Sequence, residues 1–65
     1  MNYGYCIYED LSGSMVEEEQ GYTSWKMVRH DAERSRNWYT DNSPRGTYSW
    51  EVYDVIHNET LEVSE

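Results

Sequence analysis

Three side chains in this 65-residue chain could take part in nucleophilic chemistry, and their spacing matches no known catalytic signature. Cys6 lies near the start, His30 in the middle and His57 close to the end. A catalytic cysteine needs a neighbouring base and a pocket that encloses the substrate, and a domain this small encloses little space. The sequence therefore predicts a protein that is not an enzyme, with Cys6 as a buried structural thiol.

A metal site is equally unsupported by the spacing. Structural zinc sites draw on closely paired cysteines and histidines, whereas this chain has one cysteine and two widely separated histidines. The run Glu17-Glu18-Glu19 lacks the Asp, Asn and Gly pattern of a calcium-binding loop, which favours a solvated charge run. We expect no metal and no cofactor.

The acidic side chains are the most informative group, because they are unevenly distributed. The net charge is -8, yet residues 1–21 and 46–65 contain no Lys or Arg, so together they carry -10. All five basic residues lie in residues 22–45 beside three acidic ones, a local balance of +2. The predicted partner-binding residues form one acidic face: Glu9, Asp10, Glu17, Glu18, Glu19, Glu51, Asp54, Glu59 and Glu62.

Strand patterns predict how these carboxylates are positioned in the first third of the chain. Residues 3–10 have strand character, Ser12-Gly13 forms a plausible turn, and residues 15–19 return as a second strand. A short helix over residues 15–20 is the alternative, since Met, Glu and Gln are good helix formers.

A helix is predicted to follow, with Thr23 or Ser24 as its N-cap and an end marked by Asn42 and Pro44. Its apolar stripe recurs at intervals of three and four residues: Trp25, Val28, Ala32, Ser35 and Tyr39.

The alternation then returns to a period of two, which predicts a long strand. Its apolar face carries Tyr48, Trp50, Val52 and Ile56, and Asp54 interrupts that face. A turn over residues 57–60 leads to a last strand in which Leu61 and Val63 continue the apolar side.

Together, these predicted elements indicate a single domain, residues 1–65, of the α+β class. Its element order is ββαββ, with an antiparallel sheet of about four strands and the helix packed on one face. Three Trp and seven Tyr supply the apolar area that a disordered acidic tail would lack. These rings suit either the core or an interface.

The remaining composition indicates a location. A lone cysteine is typical of a reducing compartment, the first residues do not form a signal peptide, and no segment approaches the length of a membrane span. We expect a cytoplasmic protein without membrane contact.

Two interpretations account for the charge. Solubility alone is the simpler one, and a magnitude of about 2 to 8 is ordinary for that purpose. The other is geometric: alternate residues on a strand lie about 6.6 Å apart, so a rigid sheet can present a regular array of carboxylates, as DNA presents phosphates. The absence of every basic residue from two whole segments favours the second interpretation.

On these features the chain resembles a class of proteins rather than one sequence family. The features are the short single domain, the lone Cys6, the Tyr and Trp content, and the acidic clusters at residues 17–19 and 51–65. The class is the small acidic phage-encoded inhibitors of bacterial defence, including anti-CRISPR proteins and other DNA mimics. The resemblance implies a stoichiometric blocker of a nucleic-acid-binding surface, for example in a CRISPR surveillance complex of the bacterial host. The basic helix departs from an all-acidic mimic.

Two further alternatives concern the partner. Direct nucleic-acid binding through Arg29, Arg34, Arg36 and Arg45 is disfavoured, because a local excess of +2 offers little counterion release against a total of -8. The second alternative is a modulator of another host protein, such as transcription machinery, that binds through Tyr and Trp contacts. We expect a monomer.

Overall fold

The computed structural model describes residues 1–43 and 45–64, which form four strands and one helix. The elements are β1 (Tyr3–Glu9), β2 (Met15–Tyr22), α1 (Trp25–Asn42), β3 (Tyr48–Asp54) and β4 (Glu59–Val63). The order ββαββ and the small α+β architecture are confirmed. Residues 15–20 lie in β2, so the hairpin forms rather than the alternative short helix.

The strands form one antiparallel sheet in the order β2-β1-β3-β4. The helix connects β2 to β3 and thereby places β3 beside β1 at the centre of the sheet. The β1–β3 register is regular from Tyr3 opposite Asp54 to Glu9 opposite Tyr48. Extra residues in β2 create two register shifts in the β1–β2 pairing, and the β3–β4 pairing has one.

The core lies between α1 and one face of the two central strands. Ile7, Val28 and Val52 are completely buried there, and Tyr5 and Trp50 are nearly so. Burying each such aliphatic side chain contributes about 1.5–3 kcal/mol, so a few residues supply most of the hydrophobic stabilisation. The other face of the sheet, called the open face below, is not covered by α1.

The helix starts where its capping residue predicts. The Ser24 side chain accepts a hydrogen bond from the Met27 backbone N–H at 3.3 Å, which makes Ser24 the N-cap. Such a cap is worth about 1 kcal/mol. The helix ends at Asn42 and its C-cap is Ser43. Pro44, the other predicted end signal, lies outside the described residues, as does Glu65.

The predicted C-terminal hairpin is wrong in detail. Residues 55–58 form the turn, so β3 ends at Asp54 and Ile56 is 68% exposed instead of continuing the apolar face. Across the β3–β4 register shift, Leu61 packs against the core while Val63 pairs with Glu51 and is exposed. The bulge changes the alternation of the short strand, and a strict period of two does not anticipate it.

Close packing on the open face involves a glycine. A Cβ at Gly4 would lie 2.7 Å from the Tyr53 ring and 2.8 Å from the Glu19 carbonyl oxygen. The missing side chain at Gly4 therefore lets Tyr53 lie flat across β1. In the part of the chain that the structure describes, no helix is both long and apolar enough to cross a membrane.

Candidate functional site

A row of three residues crosses the middle of the open face. Cys6 of β1 pairs with Glu18 of β2 on one side and with Glu51 of β3 on the other. Adjacent strands lie about 4.8 Å apart, so the two glutamate backbones are separated by about 10 Å across the buried thiol. The row therefore presents two carboxylates at fixed positions on a rigid sheet.

Hydroxyl groups of β3 and β4 orient both carboxylates, and that of Tyr53 reaches Glu18 across β1. The Tyr53 hydroxyl donates a hydrogen bond to Glu18 Oε2 at 2.7 Å, and the Thr60 hydroxyl donates one to Glu51 Oε2 at 2.5 Å. The Cys6 thiol lies 3.8 Å from Glu18 Oε2 as a weak donor. Because these partners are neutral, the bonds hold the carboxylates in place without cancelling their charge.

The neutral groups of this face stay protonated near pH 7. Burial, with a smaller contribution from Glu18, raises the pKa of Tyr53 to about 12. Burial likewise raises the pKa of Tyr8 to about 12 and raises the pKa of the Cys6 thiol. The charge on the open face therefore comes from its carboxylates alone.

These side chains surround a shallow depression of about 220 Å³. It lies above Cys6, and Glu59 at the start of β4 lines it together with Glu18 and Glu51. Its lining residues are Cys6, Tyr8, Met15, Glu18, Glu51, Tyr53, Asn58, Glu59 and Thr60. Three of the nine predicted partner-binding residues thus meet in one place.

The structure places Glu17 on the opposite side of the sheet. Its carboxylate accepts hydrogen bonds from the Tyr5 hydroxyl, from Ser35 Oγ at 3.1 Å and from the Tyr39 hydroxyl at 3.1 Å. Burial, followed by the bond to Glu17, raises the pKa of Tyr5. Glu17 therefore joins β2 to the sheet centre and to α1, and its contacts are those of a structural residue.

Two more predicted residues also lie on the helix side. Glu19 pairs with Tyr5 and is exposed at the edge of the sheet. Glu62 forms an ion pair with Arg29 at 2.8 Å and accepts a hydrogen bond from the Trp25 indole at 3.2 Å. The charge of Glu62 is therefore locally compensated, whereas Glu19 faces solvent.

The last three predicted residues stabilise the ends of strands. Glu9 accepts hydrogen bonds from the Ser12 hydroxyl and from the backbone N–H groups of Leu11 and Ser12. The Ser12 hydroxyl, followed by the two backbone groups, lowers the pKa of Glu9. Asp10 accepts a hydrogen bond from the Ser49 hydroxyl at 2.6 Å.

Asp54 closes the turn between β3 and β4. It accepts hydrogen bonds from the backbone N–H groups of Ile56 and His57, and its carboxylate lies 2.9 Å from His57 Nδ1. The nine predicted residues therefore do not share one face: of those in the strands, Glu18 and Glu51 lie on the open face, and Glu59 lines the depression from the start of β4.

Sequence reasoning did not single out Tyr53 and Thr60, which orient the two central carboxylates. Alternation along β3 carries the signal for Tyr53: with Trp50 and Val52 under the helix, Glu51 and Tyr53 must lie on the other face. Thr60 had no comparable signal, because its position depends on the bulge in the β3–β4 pairing.

The positive charge lies on the other layer. Lys26, Arg29, Arg34 and Arg36 are on α1, and Arg45 follows it. In the described residues of the four strands there is no Lys or Arg, so the sheet and the helix differ in electrostatic character.

The nucleophile, the bases and the metal ligands considered from sequence do not assemble. Cys6 lies in the central strand, His30 on the exposed surface of α1, and His57 in the turn beside Asp54. Within residues 1–43 and 45–64, no three His, Cys, Asp or Glu side chains are grouped to hold a metal ion.

Comparison with protein-family models, with curated proteins and with solved structures finds no significant match to this chain.

Proposed function

We propose that this protein is a non-enzymatic inhibitor whose open face imitates DNA. The carboxylates of Glu18 and Glu51 occupy a basic nucleic-acid-binding surface of a host defence complex in the bacterial cytoplasm, such as a CRISPR surveillance complex. The proposal extends the compositional resemblance to small phage-encoded inhibitors by assigning a particular face to the partner.

One observation carries the proposal: Glu18 and Glu51 flank Cys6 and are held by neutral hydroxyls. Solubility follows from net charge and does not require carboxylates in fixed orientations. Fixed carboxylates lose little conformational freedom on binding, and they meet Lys and Arg side chains that otherwise contact phosphates.

The electrostatics have a measurable consequence. Association between a carboxylate array and a basic groove releases the counterions of both surfaces, so affinity must fall steeply with salt, as it does for DNA. The mimic and DNA also compete for the same groove, which makes their binding mutually exclusive.

A displacement experiment tests the proposal. Proteins of a bacterial lysate are retained on immobilised double-stranded DNA in about 50 mM salt, a condition that favours phosphate contacts, and then eluted with this protein. We expect a specific subset of nucleic-acid-binding proteins to elute, and the direct binding of an eluted protein to this protein to weaken strongly between about 50 and 200 mM salt. Elution of no protein, or direct binding unaffected by salt, would overturn the proposal.

A second candidate function is supported by the outer surface of α1. Trp38 is 60% exposed and Met27 is 56% exposed, and such residues are favoured at protein interfaces. A modulator of another host protein, for instance of transcription machinery, would bind through this surface. Trp38→Ala would then weaken partner capture without changing its salt dependence, whereas the DNA mimic tolerates this substitution.

A further inference from the structure

The outer edge of β2 is an unpaired strand edge, and it carries the acidic triplet Glu17-Glu18-Glu19. In the described part of the chain, β2 pairs with β1 alone, and six of its eight residues are exposed. The two register shifts of the β1–β2 pairing flank a regular stretch, and that stretch is Glu17, Glu18 and Glu19. An unpaired edge accepts a further strand through backbone hydrogen bonds.

The backbone groups of Glu18 point toward solvent. The Glu19 carbonyl oxygen lies 2.8 Å from the Cβ position of Gly4 and therefore faces β1. In an antiparallel ladder, the N–H and C=O of successive residues point to opposite sides. The N–H and C=O of Glu18 are therefore directed away from β1, toward the free edge.

Charge decides what strand this edge accepts. A docked strand places its side chains beside those of β2, on both faces of the sheet, with Cβ atoms about 4.5–5.5 Å apart. Glu18 is exposed on the open face, and Glu19 is exposed on the helix side. Neither has a basic residue opposite it in β1, because Glu18 pairs with Cys6 and Glu19 pairs with Tyr5. Lysine or arginine side chains of an added strand satisfy both carboxylates.

A second copy of this chain fits the edge poorly. Antiparallel pairing of two β2 strands would bring the acidic triplets of both copies together, and like charges directly opposite each other are destabilising. The other sheet edge, β4, is shorter at five residues, and its Glu62 already pairs with Arg29.

We infer that the β2 edge docks an extended segment of the partner that carries Lys or Arg residues, and that this segment continues the sheet beyond Glu18. The inference rests on the proposed function, because it names the part of a basic partner that is captured. Backbone pairing sets the position of the segment, and the glutamates select its charge.

A synthetic peptide tests this mode of binding without the host protein. The probe is a ten-residue peptide of alternating lysine and threonine, and the control is the same peptide N-methylated throughout, which keeps the charge but cannot donate backbone hydrogen bonds. We expect the control to bind at least about tenfold more weakly, since several hydrogen bonds are lost. Hydrogen exchange at the Glu18 amide should slow when the unmethylated peptide binds.

Two variants separate the backbone from the charge. Glu18→Gln removes the charge and keeps the N–H, whereas Glu18→Pro removes both at a position whose N–H has no partner in β1. We expect Glu18→Pro to weaken peptide binding about five- to tenfold more than Glu18→Gln does. Circular dichroism checks that both variants fold; if Glu18→Pro does not, the methylated peptide and the exchange measurement still decide.

Three results would overturn the inference: equal binding of the two peptides, unchanged exchange at Glu18, or a dimer of this chain that forms through β2. Any of them would leave DNA displacement by the intact protein unaffected. Conversely, peptide binding at the edge without DNA displacement would reject the proposed function while retaining a docking edge, so the two failures are distinguishable.

Discussion

Replacing Glu17 by alanine should destabilise the protein far more than replacing Glu19, an exposed carboxylate of the same strand. The Glu17 carboxylate accepts hydrogen bonds from Tyr5, Ser35 and Tyr39, three hydroxyls on two different elements. Glu17→Ala removes the shared acceptor and leaves part-buried hydroxyl groups without it. The loss therefore falls on the packing of β2 and α1 against each other.

The structure sets the size of the effect. A hydrogen bond to a charged group contributes about 1.5–3 kcal/mol to stability. The Tyr5 and Ser35 hydroxyls remain 3.0 Å apart and can bond to each other, and the site is only half-buried, so less than the full sum is lost. We expect a decrease in the free energy of unfolding of about 2–3 kcal/mol. In a domain of this size, each 1 kcal/mol lowers Tm by roughly 4–8 °C.

Thermal and urea unfolding followed by circular dichroism measure this loss. The matched control is Glu19→Ala, which removes the same side chain two residues along β2 at an exposed position. We expect that control to change stability by less than about 0.5 kcal/mol. Glu17→Gln should fall between the two, since it keeps an acceptor oxygen but not the charge. Equal stabilities for Glu17→Ala and Glu19→Ala would refute the structural role of Glu17.

Three further perturbations have defined outcomes. The contact with Asp54 raises the pKa of His57 above 6.5, and that with His57 lowers the pKa of Asp54 below 3.8. Their mutual stabilisation is therefore fully present between these two pH values, lost above them as His57 deprotonates and below them as Asp54 protonates. In urea unfolding, His57→Ala should lower the unfolding free energy within this window and remove the decline that the pair causes above pH 6.5; an unchanged pH profile would contradict the contact. Gly4→Ala should destabilise the fold by about 1–3 kcal/mol in urea unfolding, because its methyl group meets Tyr53 and Glu19, and an unchanged midpoint would contradict that packing. Raising salt from about 10 to 150 mM should raise Tm by screening the self-repulsion of the acidic sheet, and a flat response would mean well-dispersed carboxylates.

Much of the fold follows from local patterns in the sequence. The alternation of Tyr3, Tyr5 and Ile7 and the helical spacing of Val28 and Ala32 reach the same core, so period and composition suffice to predict the elements. Whether each aromatic ring lies in the core depends on its partners. Trp50 is buried in the core whereas Trp38 is exposed, although both occur in regular elements.

The candidate site was less predictable, because it depends on register. The sequence places Glu17 and Glu19 on one face of β2 and Glu18 on the other, but it does not say which face meets the helix. Pairing with Cys6 and with Tyr5 decides this, and both pairings depend on bulges in β2 that no local pattern indicates. Ile56 is a related case, since the hydrogen bonds that Asp54 accepts from the Ile56 and His57 N–H groups start the turn before the apolar alternation ends.

We propose that the oriented carboxylates of the open face compete with DNA for a basic partner. The most direct measurement compares two double variants with equal charge changes in the displacement of proteins from immobilised DNA. Glu18→Gln with Glu51→Gln neutralises the open face, and Glu33→Gln with Asp41→Asn neutralises two exposed residues of α1. We predict that the first variant needs at least about tenfold more protein for half-displacement, whereas the second matches the unmodified protein. Equal displacement by both variants would mean that net charge, and not this face, determines binding, and would rule out recognition through the open face.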